Sequence, residues 1–219
     1  MRACLVAQAR FAIEAGIDVV QVRERDLESG ELAALVSELV ALAAAAPVIS
    51  TVAGGRTRII VNDRLDVALA AGASGVHLRS DSVSPSMARS MAPPGFLIGC
   101  SVHSPAEAAA IGSDVDYLIA GTVWASDSKP DGHPVLGTDG LAAIVKAARV
   151  PVLGIGGVTA SRASALAAAG AAGVAAIGLF MSARQARAAA TRPAGGPPAC
   201  RAVPLSAIAA STRAGFGIT

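Results

Sequence analysis

Three times in this chain an alanine-rich helical stretch runs into a glycine and then straight into an apolar strand: AIEAGIDVVQV, ALAAGASGVHL and ALAAAGAAGVAAIG. A glycine just past a helix end adopts the left-handed conformation that disfavours residues with a Cβ, so the chain can turn at once into a sheet. Helix followed by strand, repeated in this way, makes parallel strands joined by crossover helices. Seven short apolar runs fit the strand role, at 18–22, 58–61, 75–78, 97–101, 117–120, 151–155 and 174–177. Most are almost continuously apolar, as strands covered on both faces must be. No G-x-G-x-x-G follows the first of them, which weighs against a doubly wound dinucleotide-binding sheet. The expected fold is therefore α/β, a TIM (β/α)8-type barrel. Seven strands rather than eight, and a chain that opens inside a helix, predict a barrel lacking its first strand at the N-terminus.

The intervening helices carry their own signals. Leu32, Leu35, Val36, Leu39 and Val40 follow the spacing of one buried helical face. Ser84-Pro85 and Ser104-Pro105 each set a capping hydroxyl before a proline at the first helical position, and Glu107 completes a capping box in the second. Residues 1–182 are expected to form the barrel. The segment from 183 to 219 is rich in Pro, Gly, Ser and Thr, has no sustained helical stripe, and is expected to be a poorly ordered tail.

Composition excludes several classes. A chain that is 53% hydrophobic and 16% charged is not disordered throughout. No run of about 18 strongly apolar residues is present to span a bilayer. A net charge of +2, one Trp and one Tyr make neither a basic footprint nor a stacking platform for nucleic acid. Cys4, Cys100 and Cys200 are odd in number and far apart, and are expected to be small buried hydrophobes of a cytoplasmic protein. Small phosphorylated molecules are the expected partners, and a homo-oligomer stays open.

In a barrel of this kind the functional groups stand at the C-terminal ends of the strands and in the loops that follow. After the first run, alternation puts Gln21, Arg23 and Arg25 on one side, two guanidinium forks suited to a phosphate or pyrophosphate; an Arg–Glu surface network is an equal alternative. Asn62-Asp63 follows the second run, where Asp63 could hold Mg²⁺ beside a phosphate or merely cap a helix. The third run contains His77, which by itself reads as a satisfied core histidine, and leads to Asp81, a candidate second metal carboxylate. Ser101 and His103 close the fourth run, with no acidic partner nearby in sequence for a nucleophilic triad. The loop GTVWASDSKP brings Thr122, Ser126, Ser128 and Lys129, hydroxyls and an ammonium suited to phosphate oxygens. Gly156 and Gly157 in GIGG, and Ile177-Gly178, follow the last two runs, the recurrent phosphate position of these barrels. Two anion pockets suit either transfer from a pyrophosphate-bearing substrate to a phosphorylated acceptor or isomerisation of one phosphorylated substrate.

The stretches QVRERD, VNDRLDVALAAGASGVHL, IGCSVHS, DYLIAGTVWASDSKP and VPVLGIGGVTASRASALAAAGAAGVAAIGLF resemble the thiamine phosphate synthase family, which includes thiazole tautomerases, in the family's order and over about 12–181. For a synthase the resemblance implies a transferase of thiamine biosynthesis. It joins hydroxymethylpyrimidine pyrophosphate to thiazole phosphate and releases pyrophosphate with Mg²⁺. It further implies Gln21 on the pyrimidine, Arg23 on the pyrophosphate, Asn62 and the metal ligand Asp63, and Ser101 near the reacting centre. Ser126, Ser128 and Lys129 fall on the pyrophosphate loop, and Gly157 with Ile177-Gly178 on the thiazole phosphate nest.

The wording departs from the family at several positions. Arg25 stands for a lysine, Arg79-Ser80 for Gly-Gln, Ser82 for the second metal aspartate and Gly178 for a serine. These changes resemble the tautomerase branch, yet its histidine after the sixth strand is Thr122 here. A synthase with a modified metal site ranks narrowly first, then a tautomerase, then a non-catalytic phosphate binder, with an unrelated barrel enzyme such as an epimerase last.

Overall fold

A computed structural model of the chain describes residues 2–47, 56–126, 129–130, 132–177 and 206–209. The chain opens with helix α1 (Arg2–Glu14), followed by β1 (Val19–Val22), α2 (Ser29–Ala45), β2 (Arg58–Asn62), α3 (Leu65–Ala70) and β3 (Gly75–Leu78). It continues through α4 (Pro85–Met91), β4 (Leu97–Val102), α5 (Pro105–Ala110), β5 (Tyr117–Gly121), α6 (Gly137–Ala147), β6 (Val152–Ile155), α7 (Ala163–Ala168) and β7 (Gly173–Ala176). All seven expected runs are strands, and β1 to β7 pair in chain order, each parallel to the next.

Closure differs from the expectation. No strand is predicted from the sequence beyond 183, but β8 (Ser206–Ala209) lies antiparallel between β7 and β1 and closes the barrel. Val19 and Val20 pair with Ile208 and Ala207, which in turn pair with Ala175 and Ala176 on the other side. Edge strands present unpaired amides and carbonyls, and four residues at this seam satisfy both edges at once. A strand of four residues paired on both sides is too short to carry a periodic signature of its own.

The helix-to-strand junctions are made as the sequence predicts. Gly16, Gly72 and Gly170 have φ of 73°, 68° and 85°. Leu32, Leu35, Val36 and Leu39 of α2 are all at most 2% exposed, and burying each is worth about 2 kcal/mol. They belong to the large apolar layer between sheet and helices. A second, smaller layer fills the barrel interior with Ile60, Tyr117, Ile119, Leu153 and Ala175. Gly99 in β4 makes room for it: a Cβ there would overlap the Tyr117 ring. Ser84 and Ser104 cap α4 and α5, each accepting the amide three residues on at 3.2 Å. The Glu107 carboxylate reaches back to the amide of His103 at 2.8 Å, one residue beyond the usual capping-box partner.

Cys100 is a buried free thiol, its pKa pushed up to about 11 by burial. Cys4 departs from the expectation, being half-buried and disulfide-bonded. Among the described residues no helix is long and apolar enough to cross a membrane.

Candidate active site

The period-2 alternation of β1 to β4 sends every second side chain into the barrel, and near the C-terminal ends these are polar. Gln21 of β1 is buried at 5% exposure and its Nε2 donates to Asn62 Oδ1 of β2 at 2.8 Å. Asn62 lies in register with His77 of β3, and His77 with Gly99. His77 Nε2 stands 2.9 Å from Ser101 Oγ and Nδ1 3.3 Å from the Tyr117 hydroxyl. Burial, with a smaller contribution from the Arg23 charge, holds the His77 pKa down to about 4. The ring is therefore neutral near pH 7 and carries one N–H. One of its partners receives that hydrogen bond and the other donates its own.

Above this layer, beyond the strand ends, lies a cluster of charge. The Arg23 guanidinium is held below its usual pKa by burial and by the positive charges of Arg25 and Arg79. Arg25 and Arg79 thus both act on Arg23 at the mouth over β1 and β3. Asp63 follows β2 with φ 68°, a left-handed conformation in which a non-glycine residue is strained. Strain of this kind collects at functional positions. Asp63 does not cap α3, whose N-cap residue is Arg64 and which has no side-chain cap. Instead Asp63 Oδ1 accepts a short hydrogen bond from Ser82 Oγ, and Oδ2 lies 3.9 Å from Arg79 Nη1. Arg79 Nη2 in turn donates to Asp81 Oδ2 at 2.6 Å, and the Arg79 amide donates to Ser82 Oγ at 2.7 Å.

The structure therefore brings together Gln21, Asn62, His77 and Ser101, and beside them Arg23, Arg25, Asp63 and Arg79. Asp81, expected as a metal carboxylate, is turned onto Arg79 with its side chain 64% exposed. A magnesium ion held between Asp63 and Asp81 does not fit this arrangement, because a guanidinium already stands between the two carboxylates. Among the described residues no three His, Cys, Asp or Glu side chains gather to hold a metal. His103 donates its Nδ1–H to the Gly121 carbonyl at 2.6 Å.

The loops after β5 and β6 form the opposite side. Val123 and Trp124 donate their amides to the carbonyls of Ile155 and Gly156, prolonging the pairing of these strands past their ends. Gly156 and Gly157 have φ of 101° and 61°, and a Cβ on either would strike Thr122 or Trp124. Glycine is required at both for that close approach. Arg162 braces this corner, stacking 5.0 Å over the Trp124 ring and donating to the Gly157 carbonyl at 2.7 Å. Thr122 is buried, Ser126 half-buried and Lys129 exposed, with the Lys129 amide bonded to the Ser126 carbonyl at 3.0 Å. No side-chain contact among the described residues ties Lys129 to the guanidinium cluster. Ile177 lies one residue past β7; Ser128 and Gly178 lie outside the described residues.

Sequence reasoning treated Arg79 only as a departure and did not single out Tyr117. The alternation that places Gln21 and Arg23 on one side also places His77 and Arg79 on one side, which is the signal for Arg79. Tyr117 carries no local signal, because its role depends on the empty space at Gly99.

Comparison with known proteins places the chain in a family. The family model described as thiamine monophosphate synthase matches residues 2–180. A thiamine-phosphate synthase of Methanoculleus marisnigri is 42% identical over 70% of this chain and 69% of its own length. One of Roseiflexus castenholzii is 36% identical over 73% of this chain and 67% of its own. Among solved structures, a thiamine phosphate pyrophosphorylase of Pyrococcus furiosus superposes with a TM-score of 0.65 at 31% identity, covering 78% of each chain. A Rubisco-like protein of Rhodopseudomonas palustris, 17% identical with a TM-score of 0.59, shares the fold. The chain belongs to the thiamine monophosphate synthase family, enzymes of thiamine biosynthesis.

Proposed function

We propose that this chain is a thiamine-phosphate synthase, joining hydroxymethylpyrimidine pyrophosphate to thiazole phosphate. The observation that carries the proposal is the set of three guanidiniums, Arg23, Arg25 and Arg79, beside a buried polar floor of Gln21, Asn62, Ser101 and His77. The floor offers donors and acceptors for a flat heterocycle, and the guanidiniums offer charge for its pyrophosphate.

In the reaction the carbon–oxygen bond between the pyrimidine methylene and pyrophosphate breaks, and the electron pair leaves with pyrophosphate. The thiazole nitrogen lone pair then forms the new carbon–nitrogen bond, with no proton transferred. Positive charge fixed beforehand around the leaving group stabilises it as its charge develops. Gln21, held by Asn62, orients the pyrimidine, and Ser101, held by His77, faces the reacting carbon. Gly156, Gly157 and Ile177 border the position for the thiazole phosphate, and Ser126 and Lys129 the outer side of the pyrophosphate. No step is given to a metal, since the residues do not present the two-carboxylate cradle.

One observation favours a second reading, isomerisation of a carboxythiazole phosphate: the carboxylates of a pyrophosphate-linked metal site are turned to Arg79. The two are separated by incubating the protein with each substrate alone and with both, and measuring released pyrophosphate. A synthase releases pyrophosphate only when both are present. Release with neither combination, together with conversion of the carboxythiazole phosphate, would establish the isomerase instead.

A further inference from the structure

We propose that the guanidinium of Arg79 takes the place of a divalent cation at this mouth, so that the site binds the pyrophosphate group without metal. The proposal rests on the synthase reading of the site and adds how the anion is held.

The loop after β3 is closed around this side chain. Arg79 Nη2 lies 2.6 Å from Asp81 Oδ2 and Nη1 3.9 Å from Asp63 Oδ2, so one cation bridges two carboxylates. The remaining oxygen of Asp63 accepts from the Ser82 hydroxyl, which itself accepts the Arg79 amide at 2.7 Å. A metal entering here would have to displace a guanidinium that is permanently charged and held from both ends. Ser82 contributes a hydroxyl that donates to Asp63, where a carboxylate would instead repel it and call for a cation between the two.

The charge count points the same way. Arg23 feels the positive charges of both Arg25 and Arg79, and Arg79 stands against the two carboxylates of Asp63 and Asp81. Beside them Glu24 Oε1 is buried without a hydrogen-bond partner, and burial, with a smaller contribution from Asp26, raises its pKa. Three planar forks match the oxygens of a diphosphate.

Titration calorimetry with inorganic pyrophosphate, in EDTA and in excess magnesium chloride, tests this on the full chain. The wild type is expected to bind in EDTA within about threefold of its affinity in magnesium, whereas Arg79→Gln loses about tenfold or more in EDTA. That variant is also expected to recover part of the loss in magnesium, because Asp63 and Asp81 are then open to a metal. Asp81→Asn is expected to bind at least as well as the wild type in EDTA, since it removes a negative charge beside the anion. Should Arg79→Gln not fold, Arg79→Lys, which keeps the charge but not the fork, is measured for the same loss. Binding by the wild type only in magnesium overturns this proposal and leaves the synthase reading standing. An Arg79 variant that retains wild-type affinity in EDTA does the same. Absence of pyrophosphate binding in both buffers overturns both.

Discussion

His77 makes the acid stability of this barrel measurable at a single side chain. It is 3% exposed, and burial with the nearby Arg23 charge holds its pKa down to about 4. In the unfolded chain an imidazole takes its proton at about 6.5. Between these values the unfolded state binds the extra proton, so stability rises with pH there. The contribution is fully present above about pH 6.5 and is lost as pH falls through about 4. The gap corresponds to about 3 kcal/mol, a large share of the ~5–15 kcal/mol that holds a typical domain together. Urea unfolding at a series of pH values, for the wild type and for His77→Gln, reads the effect. Glutamine does not titrate, and the carboxylates common to both proteins cancel in the difference. The wild type should lose about 3 kcal/mol more than the variant between about pH 7 and pH 4. An imidazole resonance titrating near 4, absent from the variant, should accompany it. Parallel stability curves, or a His77 resonance with its midpoint near 6.5, would refute the claim that burial keeps this ring neutral.

Two further outcomes follow from the backbone. Asp63→Gly and Asp63→Ala both remove the carboxylate, but only glycine relaxes the left-handed φ of 68°; thermal unfolding should find the glycine variant more stable by about 1 kcal/mol. Ala207→Pro removes an amide from the strand that pairs with both Val20 and Ala176, and should lower unfolding free energy by about 3 kcal/mol in a denaturant titration.

The legibility of the fold varied with the range of the forces involved. All seven parallel strands fall within a residue or two of their predicted positions, because burial on both faces leaves a continuous apolar run and each glycine junction marks an entry. Capping serines and the α2 stripe are equally local. The seam strand Ser206–Ala209 is different: what makes it a strand is the pair of open edges on β1 and β7, hundreds of ångströms of chain contour away from one another in the unfolded state. At the site, alternation put Gln21, Arg23 and Arg25 on one side of the first strand, and the end of the fourth run marked Ser101. It did not tell whether His103 was free or tied to the Gly121 carbonyl, nor where Asp81 would turn.

The amino-acid order by itself determined which residues are strands, which are helices, and which polar groups are carried to one end of the barrel, since periodicity and turn chemistry act over a few residues. Only the tertiary structure decided which of those groups meet. The partnership of Asp63, Arg79, Asp81 and Ser82 joins a loop after β2 to a loop after β3, and the neutrality of His77 depends on its burial among neighbouring strands, with a smaller contribution from the Arg23 charge. Charge neutralisation and desolvation depend on distance in space, and that distance is set by barrel closure rather than by sequence separation.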